Sequence, residues 1–181
     1  MKSAISFAAL SSSLASAQYF GVTSARSGSA IQYLPMNAGN ETIYLGGQAL
    51  AYCPTNVGEL GGCPENHGQT NFAVNSNAST LELGTAVPGG QQVYADPQTG
   101  ALKYTIPHSA AMSEGAAVVG WSVEYGGTLG RLRFAFELLA CQDGNIWPVY
   151  AVIPNATLPD GCLSFDALTV NQTEPAAWEF E

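Results

Sequence analysis

Positive charge is what this sequence has least of. Among 181 residues there are five Lys or Arg and two His against 14 Asp or Glu, and charged residues make up 10% of the chain. An ordinary globular domain carries about 25%. Beyond Lys2 the cations are Arg26, Lys103, Arg131 and Arg133. Four cations are too few to neutralise a phosphate backbone, so no nucleic-acid partner is expected, and an anionic bilayer surface would repel the chain. Ser, Thr, Asn, Gln and Gly must cover the surface instead.

Long apolar runs are missing as well. The run Ala4 to Leu14 falls short of the roughly 20 residues that a membrane helix needs. It follows Lys2 and precedes Ala15-Ser16-Ala17, the small-x-small pattern cut by signal peptidase. These features predict a signal peptide over 1–17 and a mature chain from Gln18, with four cations, 14 carboxylates and a net charge of −10. Residues 18–181 suffice for a single domain with one core. The tail "EPAAWEFE" has neither the small-residue site nor the apolar end of a lipid-anchor signal. A secreted, extracellular protein without membrane insertion is expected.

Catalytic signatures are equally sparse. There is no Gly-x-Ser-x-Gly elbow and no phosphate-cradling loop ending in Lys-Ser/Thr. The serine-rich stretch "TSARSGS" has only His67 and His108 in the chain to serve as a base. His108 and Ser109 are sequence neighbours, which seldom face each other productively. A glycosidase needs two carboxylates, and Glu124, Glu137, Asp143 and Asp166 are available. They alternate with Val123, Tyr125, Phe136, Leu138 and Phe165, as solvated strand positions do. Cys53 and Cys63 are too widely spaced for a zinc knuckle and export favours their oxidation, so Glu65-Asn66-His67 beside Cys63, although able in principle to ligate a metal, is not expected to hold one. The residues therefore predict no catalytic group, no metal and no cofactor.

The chain has four cysteines, and in an exported protein these favour two disulfides. Three connectivities are open; nearest-neighbour pairing, Cys53 with Cys63 and Cys141 with Cys162, closes one Gly/Pro-rich loop each. Four Asn-x-Ser/Thr triplets begin at Asn40, Asn77, Asn155 and Asn171, at or beside predicted turns, and predict N-glycosylation.

Helical periodicity is almost absent, whereas short alternating or β-branched and aromatic runs recur between turn residues. "TIYLG", "NFAV", "TLELG", "QQVYA", "ALKYT", "GWSVEY" and "RLRFAF" all read as strands. "ADPQTGAL" reads as a hairpin turn, with Pro97 presetting one φ and Gly100 free to take the left-handed region. "FGVTSAR" and "AIQYLP" read as two strands around the turn Ser27-Gly28-Ser29. Phe20-Gly21-Val22, Phe72-Ala73-Val74 and Trp121-Ser122-Val123 repeat an aromatic-x-Val unit at spacings of 52 and 49 residues. The fold class is all-β, either trefoil-like with three pseudo-repeats of about four strands, or a Greek-key barrel or sandwich. Trp121 and Tyr104 read as core. Trp147 and Tyr150, with Tyr125, are candidate sugar-stacking residues, although core packing also suits them.

Two stretches, "YFGVTSARSGSAIQYLPMNA" and "GWSVEYGGTLGRLRFAFELLACQDGNIWPVYA", resemble the fungal cell wall protein PhiA family. The similar positions are Ser27-Gly28-Ser29-Ala30, Gln32-Tyr33, Gly120-Trp121-Ser122, Leu138 to Cys141 and Trp147 to Tyr150. The resemblance implies a secreted or wall-associated fungal protein linked to phialide and conidium development, some of whose relatives are allergens. It carries over no catalytic residue. The expected function is therefore structural or adhesive, with wall polysaccharide or wall proteins as partners. A carbohydrate-binding module, or an effector or inhibitor acting through a loop such as Pro54 to Gly62, is the alternative.

Overall fold

The computed structural model describes residues 18–65, 68–126 and 129–181. The expected signal peptide lies outside these residues, as do Asn66 and His67. Strand follows strand along the chain: β1 (Tyr19–Ala25), β2 (Met36–Gly39), β3 (Thr42–Leu45), β4 (Ala51–Tyr52), β5 (Asn71–Asn75), β6 (Thr80–Leu83), β7 (Gln92–Ala95) and β8 (Leu102–Tyr104). Then come β9 (Ser122–Gly126), β10 (Leu129–Arg133), β11 (Leu138–Ala140), β12 (Trp147–Ala151), β13 (Leu163–Ser164), β14 (Asp166–Gln172) and β15 (Glu179–Phe180). One short helix, α1 (Thr55–Glu59), interrupts them inside the Cys53–Cys63 loop.

Thirteen strands form one curled antiparallel sheet in the order β13-β11-β12-β3-β8-β7-β6-β5-β1-β14-β10-β9, with β2 beside β3. β4 and β15 pair separately. The protein is all-β. The three stretches that open on Phe20, Phe72 and Trp121 pair differently. β5 to β8 form a continuous meander, β1 is flanked by β14 and β5, and β9 and β10 form a hairpin.

The alternation in β1 shows how the sequence positions the core. Phe20, Val22 and Ser24 point inward, and Phe20 pairs in register with Phe72, their rings 6.4 Å apart. Period-2 burial lets these aromatics share one face. The hydrophobic cluster draws on strands from β1 to β15, including Ile43, Leu81, Val93, Leu102, Val149 and Phe180. A buried polar clamp ties the last strand to it. Gln91 donates to the carbonyls of Thr105 and Phe180 and accepts from the Phe180 amide at 2.8 Å.

The predicted hairpin between β7 and β8 is present, with Val93 opposite Tyr104 and Ala95 opposite Leu102. Gly100 sits at φ +73, and a Cβ there would come within 2.6 Å of the Ala151 carbonyl oxygen, so only glycine fits where the tip docks on β12. Asp96 organises this turn. Its Oδ1 accepts from the amides of Gln98 and Thr99 and from the Thr99 hydroxyl, and its Oδ2 accepts from Ser113 Oγ at 2.7 Å.

The serine-rich stretch departs from expectation. β1 forms as read, but "AIQYLP" is a run of turns and the next strand begins at Met36. The Ser24 hydroxyl, fully buried, donates to the carbonyls of Ile31 and Leu34, and Tyr33 takes a left-handed φ of 63. Ile31 is thereby folded into the core as a plug. A buried hydroxyl with two local carbonyls in reach competes with a ladder and wins.

Both disulfides pair as expected, Cys53 with Cys63 and Cys141 with Cys162. Cys141 is buried, and it follows β11 as Cys162 precedes β13. Replacing both Cys141 and Cys162 by Ser should cost about 3 kcal/mol through restored loop entropy. That corresponds to a Tm lower by roughly 6–12 °C in calorimetry.

Candidate functional site

Three of the four cations beyond Lys2 gather at one place. A cleft of about 630 Å³ is walled by the end of β1, by β10 with the segment after it, and by the β13–β14 region. The Arg26 guanidinium donates to the carbonyl and hydroxyl oxygens of Ser164 at 2.8 and 2.9 Å. Arg133 lies 3.0 Å from Glu124 and 4.0 Å from Asp166, and Arg131 lies 3.6 Å from Asp166. β9, β10 and β14 are adjacent, which puts Glu124 opposite Arg131 in register and Arg131 opposite Leu168. Of the four carboxylates weighed for glycoside hydrolysis, the structure brings Glu124 and Asp166 to one arginine, while Glu137 lines the same cleft. Asp143 belongs to a separate tight turn closed on Ile146. The paired side chains are 39–63% exposed, so each ion pair contributes about 0–1 kcal/mol. Glu124 and Asp166 thus lie on the solvent side of their strands.

Ser27 lines this cleft, but no histidine is among the described residues that wall it. The Ser29 hydroxyl is spent on the Arg26 carbonyl at 2.9 Å. His108 lies in the exposed loop after β8, with a positive φ of 60, and the Ser109 hydroxyl accepts from the Ala111 amide. The serine-rich bend reverses the chain.

A second cleft, of about 640 Å³, has a different chemistry. Tyr19 and Tyr125 line it together with Val74, Glu82, Asn75 and Asn77. The register row Tyr19–Ala73–Glu82 crosses β1, β5 and β6, and Tyr125 approaches from the edge strand β9. Tyr125 is 56% exposed. Burial raises the Glu82 carboxyl above its ordinary pKa, and the hydrogen bond from Thr80 Oγ1 at 3.2 Å opposes that shift. The other two stacking candidates lie elsewhere. Trp147 packs against the core, in register with Leu45. Tyr150 has the opposite parity on β12, beside the buried Val149 and Ala151. The three aromatics are therefore not one platform. Tyr19 and Glu82 escaped sequence reading, because only the β1–β5–β6 pairing sets them in one row. Glu82 nevertheless carried a signal, being a lone carboxylate between Leu81 and Leu83.

All four asparagines of the acceptor triplets are exposed. Asn40, Asn77 and Asn155 occupy turns, whereas Asn171 lies within β14, one residue from its end.

A family model described as PhiA-like secreted protein matches residues 20–181. The chain belongs to this family. The PhiA-like chain is also 34% identical over 167 residues to an uncharacterized secreted protein of Arthroderma benhamiae, covering 83% of this chain and 79% of that one. No solved structure matches. This PhiA-like protein is thus secreted, disulfide-bonded and all-β.

Proposed function

We propose that this PhiA-like protein is a non-enzymatic component of the fungal cell wall with a structural or adhesive role, serving conidium or phialide development. The observation that carries the reading is membership of a secreted family across nearly the whole described chain. The site chemistry supports it. Glu124 and Asp166 are surface ion-pair partners, the Ser29 hydroxyl closes a turn, and the scaffold is a disulfide-bonded sheet. Such a scaffold suits persistence outside the cell, and few cations leave it little attraction to other polyanions. Its partners are wall polysaccharide or wall proteins.

Fractionation tests this directly. Washed walls and culture medium are assayed for the protein before and after extraction with detergent and reductant, alongside sedimentation with insoluble wall polysaccharide. A wall-held fraction released by extraction is the expected result. Finding all of it in the medium, with none sedimenting with polysaccharide, would remove the wall assignment.

A further inference from the structure

Of the four asparagines in acceptor triplets, Asn77 stands apart, because it is itself part of the wall of the second cleft. It sits at the tip of the β5–β6 hairpin, where the Asn75 side-chain carbonyl accepts from the amides of Asn77 and Ala78 at 3.2 Å each. Ser79, the third residue of the acceptor triplet, has φ +54, and its carbonyl oxygen accepts from the amides of Gly120 and Trp121. The tip is therefore a rigid, exposed turn tied to the chain just before β9. Tyr125 of β9, more than half exposed, and Tyr19 of β1 line the same cleft, along with the partly buried Glu82.

We infer that Asn77 carries an N-linked glycan whose first sugar residues lie in this cleft, against Tyr125 and Tyr19 and within hydrogen-bonding reach of the Glu82 side of the wall. During secretion the Asn77 amide nitrogen displaces pyrophosphate from the anomeric carbon of a lipid-linked oligosaccharide. The C–N bond forms as the C–O bond breaks, the amide proton passes to a base of the transferase, and the lipid pyrophosphate departs. The apolar face of a pyranose against a tyrosine ring, with its hydroxyls turned to carboxylate and amide groups, matches the mixed lining of the cleft. The covalent link removes the entropic cost of bringing the sugar to the site, so even a shallow groove holds it. A large exposed tyrosine at a sheet edge is thereby covered without a protein partner. The inference is independent of where the secreted protein resides.

The test uses the full chain secreted from a glycosylating eukaryotic host, with site occupancy read by mass spectrometry. Expected are an occupied Asn77 and a Tm lowered by about 2–4 °C in Asn77→Gln. Tyr125→Ala should lower Tm by a similar amount in the glycosylated protein, and the double variant should fall no further than either single one. Asn171→Gln, at an exposed extended position of β14, is the control and should leave Tm unchanged. The same Tyr125→Ala change should be silent in protein made without glycans in an oxidising bacterial compartment. An unmodified Asn77, additive losses in the double variant, or an equal Tyr125→Ala effect with and without the glycan would each overturn the inference. So would tight binding of free neutral oligosaccharide to this cleft in the fully glycosylated protein.

Discussion

Asp96→Ala should lower the melting temperature by roughly 6–12 °C at pH 7, corresponding to about 3 kcal/mol. The Asp96 side chain is 10% exposed and accepts four hydrogen bonds, from two amides and two hydroxyls, with Lys103 Nζ 3.6 Å away. Burial works against the charge, but the bonds from Ser113, Thr99 and Gln98 outweigh it and hold the pKa at about 2. Truncation would leave those donors without their acceptor and loosen both the hairpin and the 105–120 segment that Ser113 anchors. Asp96→Asn keeps an acceptor for the turn and should cost less than half as much. A variant Asp96→Ala that melts within 2 °C of the parent would refute the assignment.

The same group sets the response to acid. A folded pKa of about 2 against an ordinary value of 3.8 means that the carboxylate stabilises the fold above pH 4. That contribution, roughly 2 kcal/mol, is lost as pH falls from 4 to 2. Glu82 has the opposite sign: its raised pKa makes the charged form a burden that acid relieves. The parent should therefore melt at nearly the same temperature at pH 4 as at pH 7, and lose stability only below pH 4. Asp96→Asn should flatten that acid limb; a parent that loses many degrees by pH 4 would contradict this balance.

Trp121→Ala should be at least as damaging, at about 3–5 kcal/mol, or a Tm lower by roughly 6–20 °C. The indole is 1% exposed and stacks on Phe134 at 4.0 Å, and Phe134 meets Phe136 edge-on at 5.4 Å. The triad joins the residue before β9 to the segment after β10, so truncating the buried indole leaves a cavity beside Phe134. The indole N–H is buried without a hydrogen-bond partner among the described residues, so the ring matters and the polar atom does not. Trp121→Phe should accordingly cost about 1 kcal/mol, a smaller cavity offset by the loss of an unsatisfied donor. Denaturant unfolding of both variants checks the contrast. Equal losses for Phe and Ala would mean that stacking and volume are not what Trp121 supplies.

Much of the fold was legible because it is written locally. Alternation in "NFAV", "TLELG" and "QQVYA" needs only neighbouring residues, and β5, β6 and β7 lie where it puts them. The β7–β8 turn was equally plain, since Asp96, Pro97 and Gly100 each carry their own backbone preference. Where local signals competed, the pattern misled. "AIQYLP" has the composition of a strand, yet the buried Ser24 hydroxyl claims the Ile31 and Leu34 carbonyls and folds the segment into turns. α1 went unseen because five residues within a disulfide loop carry no helical period. Trp147 and Tyr150 could have been separated from the start, since positions three apart on a strand face opposite ways.

The sequence by itself determined an exported, acidic, all-β chain with cysteines for two disulfides and no recognisable catalytic motif. These properties follow from whole-chain composition and from local spacing and period, none of which depends on which distant segments meet. Only the tertiary structure decided which distant strands lie side by side. That pairing sets Arg133 between Glu124 and Asp166, and Asn77 in one cleft with Tyr19 and Tyr125. Neighbour relations of this kind are fixed by long-range register and by the closing of one common core, so no short stretch of the chain can encode them alone.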